Sequence, residues 1–255
     1  MKHVVILFFI CSFFIPITSA EPAKPFIGIK EKLGSDVPNV ELYDEAGNLV
    51  PLKSLINKPT LITFVYFRCT GICTPLLNEM TTVIDKMDLN LGKDYQILTI
   101  SFDFTDRPET AQEKRDNYLG ELKKTVDPNG WRFLTGDSAI VQALTDSMGF
   151  FYERSGADWI HPTAVIAVSP DGKITRYLYG IHQLPLDVKL AVIEASEGKT
   201  GPTISKILNM CYTYDPEGQH YTLNFVHISG LVIVGLVGLF VVVFIVIPKK
   251  KERRS

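Results

Sequence analysis

Two cysteines, Cys69 and Cys73, stand between an apolar run, Leu61-Ile-Thr-Phe-Val-Tyr-Phe-Arg68, and a stretch with helical spacing that opens Thr74-Pro75-Leu76. The order strand–Cys–turn–Cys–helix places two thiols at a helix N-terminus, where the macrodipole favours thiolate over thiol. Thiolate both attacks disulfides and binds soft metals, so the pair points to redox chemistry or to a metal. Three residues separate the cysteines, not the two of C-x-x-C oxidoreductases. Wound as a helix, an i, i+4 pair shares one face with Cβ atoms about 5–6 Å apart. That is wide for a disulfide, whose Cβ atoms prefer about 3.8 Å, and it suits two sulfurs converging on one ion. A bridge across so short a loop constrains the unfolded chain little, which leaves a purely stabilising role weak.

Two thiolates leave a three-coordinate soft site one ligand short. His3 lies in the apolar N-terminal segment, and His182, His220 and His227 have no motif around them. His161 directly precedes Pro162-Thr163 and the β-type run Ala164–Val168. In a thioredoxin arrangement the loop entering that strand carries a proline and lies against the redox cysteines. His161 is therefore expected to face Cys69 and Cys73. A histidine in such a loop is ordinarily a capping or loop residue, and only its place relative to the pair makes it the third-ligand candidate. Two thiolates and one imidazole point to Cu(I), with Cu(II) accessible through the imidazole. Zinc would want a fourth ligand, and only Cys211 and Asp103 offer themselves. Cys211 stays open between free thiol, transient pairing and metal ligand.

The elements that must position these residues follow from periodicity. Val37–Leu42 and Leu49–Leu52 flank the turn Asp44-Glu-Ala-Gly47 as a short hairpin. Leu61–Phe67 suits a strand buried on both faces. Thr74–Met87 has helical spacing through Leu76, Leu77, Met80, Val83, Ile84 and Met87. Tyr95–Phe102 is a second strand, Pro108–Leu122 a charged surface helix with proline in its first turn, and Trp131–Leu134 a short strand. Ser138–Met148 is a helix with a capping serine. Thr163–Val168 and Lys173–Leu178 flank Ser169-Pro-Asp-Gly172 as a hairpin, and Pro185–Gly198 closes as a helix ending in glycine. Alternating strands and helices followed by a hairpin and helix predict an α/β fold: a thioredoxin-like mixed sheet flanked by helices.

The ends differ in character. Lys2, the apolar Val4–Ile17 and the small-residue exit Thr18-Ser19-Ala20 read as a secretory signal peptide over 1–20, with Cys11 a bystander inside it. Residues 21–34 read as a linker, 35–199 as the thioredoxin-like domain, and 200–227 as an irregular, tyrosine-rich juxtamembrane arm. The uncharged run 228–247 matches the roughly 20 residues that cross a bilayer. A basic tail, 248–255, follows it, and cationic flanks stay cytoplasmic. The expected localisation is a single-pass protein of the cell membrane with its main domain exported, periplasmic or extracellular, and its C-terminus cytoplasmic. There, a cysteine pair can persist as a disulfide. The chain carries −2 overall; without Lys2 (+1) and the tail (+4), Glu21–His227 carries −7. So acidic a domain has no electrostatic footprint for nucleic acid.

At these residues the chain resembles the Sco/SenC family, thioredoxin-fold copper proteins that serve cytochrome c oxidase assembly. The matching stretches are Phe64-Val-Tyr-Phe-Arg-Cys-Thr-Gly-Ile-Cys73, Ser101-Phe-Asp103, Gly130-Trp-Arg-Phe-Leu-Thr-Gly136, His161 and Ser169-Pro-Asp-Gly172. Ile174–Gly180 and Cys211-Tyr-Thr-Tyr-Asp-Pro216 are similar to a bacterial branch, and the likeness spans roughly Ser35–Tyr214. The resemblance implies copper on Cys69, Cys73 and His161, delivered to the copper-bearing subunit of a respiratory cytochrome c oxidase, or used in maturing its copper centre. Its alternative is a thiol–disulfide reductase acting on the oxidase's copper-site cysteines, with Cys69 attacking and Cys73 resolving. Where family members often carry proline after each cysteine, this chain has Thr70 and Thr74, with Pro75 displaced by one; Pro162-Thr163 resembles a thioredoxin-like cis-proline loop. Both departures lean towards thiol–disulfide chemistry.

Overall fold

The computed structural model describes residues 26–69, 71–200, 212–215, 220–223 and a few residues between 229 and 240. The strands are β1 (Gly28–Ile29), β2 (Glu41–Tyr43), β3 (Leu49–Pro51), β4 (Thr60–Val65), β5 (Gln96–Ser101) and β6 (Trp131–Leu134). They continue as β7 (Phe150–Phe151), β8 (Glu153–Ser155), β9 (Asp158–Ile160), β10 (Ala164–Val168) and β11 (Ile174–Tyr179). The helices are α1 (Leu52–Leu55), α2 (Cys73–Lys86), α3 (Pro108–Glu121), α4 (Ser138–Ser147) and α5 (Pro185–Ser196).

Five strands form the central sheet in the order β11-β10-β4-β5-β6. β4, β5 and β6 are parallel, while β10 runs antiparallel to both β4 and β11. Every residue of β4 and β5 is buried, as strands covered on both faces require. α2 packs against both α3 and α5, and buries Leu76, Leu77, Met80, Val83 and Ile84. Phe64, Phe102, Trp131, Phe133 and Phe150 are fully buried in the single core. This is the expected thioredoxin-like mixed sheet.

Register brings the distant parts of the chain together. Val165 on β10 lies opposite Thr63 on β4. Because the two strands are antiparallel, stepping back from Val165 to His161 moves the same way as stepping forward from Thr63 to Phe67. The loop before β10 therefore lies beside the carboxyl end of β4.

Several expectations need correction. No helix among the described residues is long and apolar enough to cross a membrane, which overturns the C-terminal transmembrane helix and, with it, the single-pass topology with a cytoplasmic C-terminus. Within 228–247 only 229, 230, 233, 236–238 and 240 are described, and they are helical and exposed. A hydropathy run states which surroundings a segment prefers, whereas a span needs an unbroken helix of about 20 residues. The signal segment 1–20, Cys11, Cys211, His227 and the basic tail lie outside the described residues. The arm 200–227, read as irregular, contains an antiparallel hairpin of β12 (Tyr212–Asp215) and β13 (His220–Leu223). Ser138 is not a cap; Asp137 holds that place and makes no side-chain cap bond. No described peptide bond is cis, so Pro162 does not share the cis-proline geometry its neighbourhood suggested.

Candidate metal centre

Cys69 lies in the loop after β4, and Cys73 is the first residue of α2. The residue at the N-cap of α2, Ile72, makes no side-chain cap bond. The Cys69 sulfur takes that place: it accepts the Gly71 N–H at 3.3 Å and the Cys73 N–H. Unsatisfied amides at a helix N-terminus favour an anion, and a thiolate is one. Burial by itself would raise the Cys69 pKa, but these amides, the Tyr66 hydroxyl and the Cys73 thiol outweigh it, and the net shift is downward. Cys73 goes the other way. It is 3% exposed, and burial, reinforced by the neighbouring Cys69, pushes its thiol well up. The helix N-terminus thus favours thiolate at one sulfur, not at both. Both cysteines are free thiols.

His161 is brought to the pair as register requires. Its Nε2 is 3.6 Å from Cys73 Sγ. Its Nδ1 is 2.9 Å from the Pro162 carbonyl oxygen. A neutral ring with its proton on Nδ1 donates there and turns the Nε2 lone pair towards the sulfurs. Burial holds the His161 pKa below its ordinary value, against the opposing pull of the Pro162 carbonyl and Asp158. The ring sits in an aromatic wall, 5.0 Å from Phe102 and 5.8 Å from Tyr66 between centroids.

One donor atom from each of Cys69, Cys73 and His161 lies within 4.8 Å of the others. Bonds of about 2.0–2.3 Å in a trigonal site put donors about 3.5–4 Å apart. The Cys73–His161 separation already fits, and the widest closes with a sub-ångström shift. Among the described residues no fourth donor joins this group. Asp103, considered as one, is engaged elsewhere: its carboxylate accepts from Arg68 at 3.1 Å, from the Thr105 hydroxyl and from Trp159 Nε1 at 3.3 Å. His182 is exposed, with its Nδ1 4.0 Å from Glu79.

Sequence reasoning missed the residues around the donors. β8 and β9 form a small hairpin that leads straight into His161 and carries Asp158 and Trp159 to the site. Trp159 meets Phe102 and Tyr152 edge-on at 5.9 and 5.4 Å. Beneath the cysteine loop, the buried Asp106 accepts the Phe67 N–H at 2.7 Å and the Ser101 hydroxyl at 2.6 Å. The glycine turn at Gly156 between short polar segments, followed by Trp159, was the available signal for the hairpin. Asp106 had none beyond its nearness to Ser101-Phe-Asp103.

The SCO1/SenC family profile matches residues 35–189. The SCO1 protein homolog of Bacillus subtilis is 29% identical over 164 residues, covering 62% of this chain and 81% of that protein. A solved structure from Aquifex aeolicus VF5, described as an electron transfer protein, is 30% identical, covers 65% of this chain and 95% of that one, and superposes with a TM-score of 0.59. BsSco, a member of the Sco family of cytochrome c oxidase assembly proteins whose structure identified a disulfide switch, is 25% identical with a TM-score of 0.52, covering 66% and 97%. Arabidopsis thaliana ScoI, solved with copper bound, is 20% identical over 64% and 98% of the two chains and shares the fold, with a TM-score of 0.52. The mixed sheet, the Cys–Cys–His group at its carboxyl end and the profile match over most of the described domain lead to one conclusion: this chain belongs to the SCO1/SenC family.

Proposed function

We propose that this protein binds one copper ion through Cys69, Cys73 and His161 and passes it to, or helps mature, the copper centre of a respiratory cytochrome c oxidase. The observation that carries the reading is the donor set itself: two sulfurs and one imidazole within 4.8 Å, with no fourth protein donor among the described residues. Sulfur donors select soft ions, and the imidazole extends the range to Cu(II). A site short of a closed tetrahedral shell leaves a position for an incoming ligand, which exchange between two proteins needs. Membership of the SCO1/SenC family, and the likeness to BsSco, a member of the Sco family of cytochrome c oxidase assembly proteins, support the partner. Copper titration of the reduced protein tests it. Close to one ion per chain is expected, with His161→Ala weakening binding at least 100-fold. Unchanged affinity in that variant overturns the three-donor site.

The asymmetry of the cysteines favours a second reading, thiol–disulfide exchange. A lowered pKa at Cys69 and a raised one at buried Cys73 match an attacking and a resolving thiol. Turnover of a disulfide substrate without copper is its signature, and it vanishes in Cys69→Ser.

A further inference from the structure

Tyr66 belongs neither to the donor set nor to the centre of the core. It directly follows β4 by one residue, and the Cys69 N–H donates to its carbonyl oxygen at 3.1 Å. Its ring stands at 85° to the imidazole of His161 and packs on Phe102 at 5.5 Å. Its hydroxyl donates to the Asp158 carboxylate and lies within hydrogen-bonding reach of the Cys69 thiol. Tyr66 precedes Cys69 by three residues, and Asp158 precedes His161 by three. One phenol therefore touches both stretches of chain that carry the donors.

We propose that Tyr66 is a positioning residue whose hydroxyl on Asp158 and ring edge on His161 clamp the histidine-bearing hairpin to the cysteine loop, so setting the third donor against the two sulfurs. The need for a clamp follows from topology. β9 pairs only with β8, and the two form a sheet of their own, outside the central five strands. Two-stranded hairpins are marginal in water by themselves. All of β8 and two of the three residues of β9 are exposed. Main-chain pairing to the central sheet resumes only after His161, with the Thr163 carbonyl accepting the Gly180 N–H at 2.9 Å and then at Ala164 and Val165 on β10. Side chains must therefore hold the hairpin. Trp159 does so towards Asp103, Phe102 and Tyr152. From the segment that bears the cysteines, Tyr66 does so through Asp158 and His161. Groups that orient metal ligands from behind are typically worth about 10–100-fold in affinity.

The inference rests on the three-donor copper reading, and the experiment separates the two. Tyr66→Phe keeps the ring and removes only the hydroxyl. The full chain is titrated with copper(II), followed by absorption and electron paramagnetic resonance, for wild type, Tyr66→Phe, Asp158→Ala, the double variant and His161→Ala. Amide hydrogen exchange over 153–161 is measured on the metal-free proteins. Tyr66→Phe is expected to bind copper about tenfold more weakly, with its nitrogen hyperfine signal shifted towards that of His161→Ala, and to speed exchange across the hairpin. Asp158→Ala should do the same, and the double variant should add little to either. Tyr66→Phe with wild-type affinity, spectrum and exchange overturns the clamp, as do fully additive single effects. A wild type that takes up no copper overturns the copper reading instead, and the exchange measurement then decides the clamp.

Discussion

Replacing Asp106 by alanine tests whether one buried carboxylate holds the cysteine loop from beneath. Its Oδ2 accepts the Phe67 N–H at 2.7 Å and the Ser101 hydroxyl at 2.6 Å. A hydrogen bond to a charged group contributes about 1.5–3 kcal/mol, so the gross loss is about 3–6 kcal/mol. Two terms offset it. Burial raises the Asp106 pKa, and the nearby Asp103 adds to that, so the ionised carboxylate is disfavoured where it sits. Arg68, 3.5 Å away, is largely exposed and contributes little as an ion pair. The net expectation is a loss of about 2–3 kcal/mol in urea unfolding of the metal-free, reduced protein. With an m-value of about 2 kcal/mol/M, the midpoint falls by about 1–1.5 M. Asp106→Asn keeps an acceptor for the Phe67 N–H and sheds the charge, so it should lose less. The sign with pH follows from the raised pKa: the folded protein takes up this proton before the unfolded chain does. Wild type therefore gains stability, relative to both variants, as pH falls through the folded-state pKa. An alanine loss below about 0.5 kcal/mol, or asparagine worse than alanine, refutes the reasoning.

In the metal-free reduced protein, Cys69 should be alkylated well before Cys73 at pH 7, and its rate should level off at a lower pH than that of a free thiol. Mass spectrometry of the partly labelled chain reads the order, and Cys73 reacting first would contradict it. Gly136→Ala should destabilise by about 1–3 kcal/mol in thermal or chemical unfolding, because its new Cβ meets Leu42 Cδ2 at 2.8 Å and Val141 Cγ2 at 2.9 Å. A neutral result would mean that the hairpin and α4 give way more easily than a packed core does.

The legible parts of the fold were the strongly patterned ones. The uninterrupted apolar run around Leu61–Val65 reads as a strand buried on both faces, and the spacing from Leu76 to Ile84 reads as one helix face. β8 and β9 were not legible, because Glu153, Arg154, Ser155 and Asp158 are exposed and obey no burial pattern. The run 228–247 shows the opposite failure: its composition is unambiguous, yet no spanning helix appears among the described residues. Apolarity specifies a preferred medium and leaves open whether the chain forms one unbroken helix.

The site divides along the same line. Local order alone determined that two sulfurs would stand at the start of α2, since a strand, a short turn and a helix are all near in sequence. It also offered His161 as a partner, through an analogy of fold. Only the tertiary structure decided that Nε2 comes within 3.6 Å of Cys73, that Cys69 is the sulfur the helix amides serve while Cys73 is buried, and that Tyr66 and Asp158 join the two arms. These facts depend on strand register across a hundred residues and on which side chains exclude water. Periodicity along the chain carries the direction a side chain faces, and says nothing of which distant side chain it will meet.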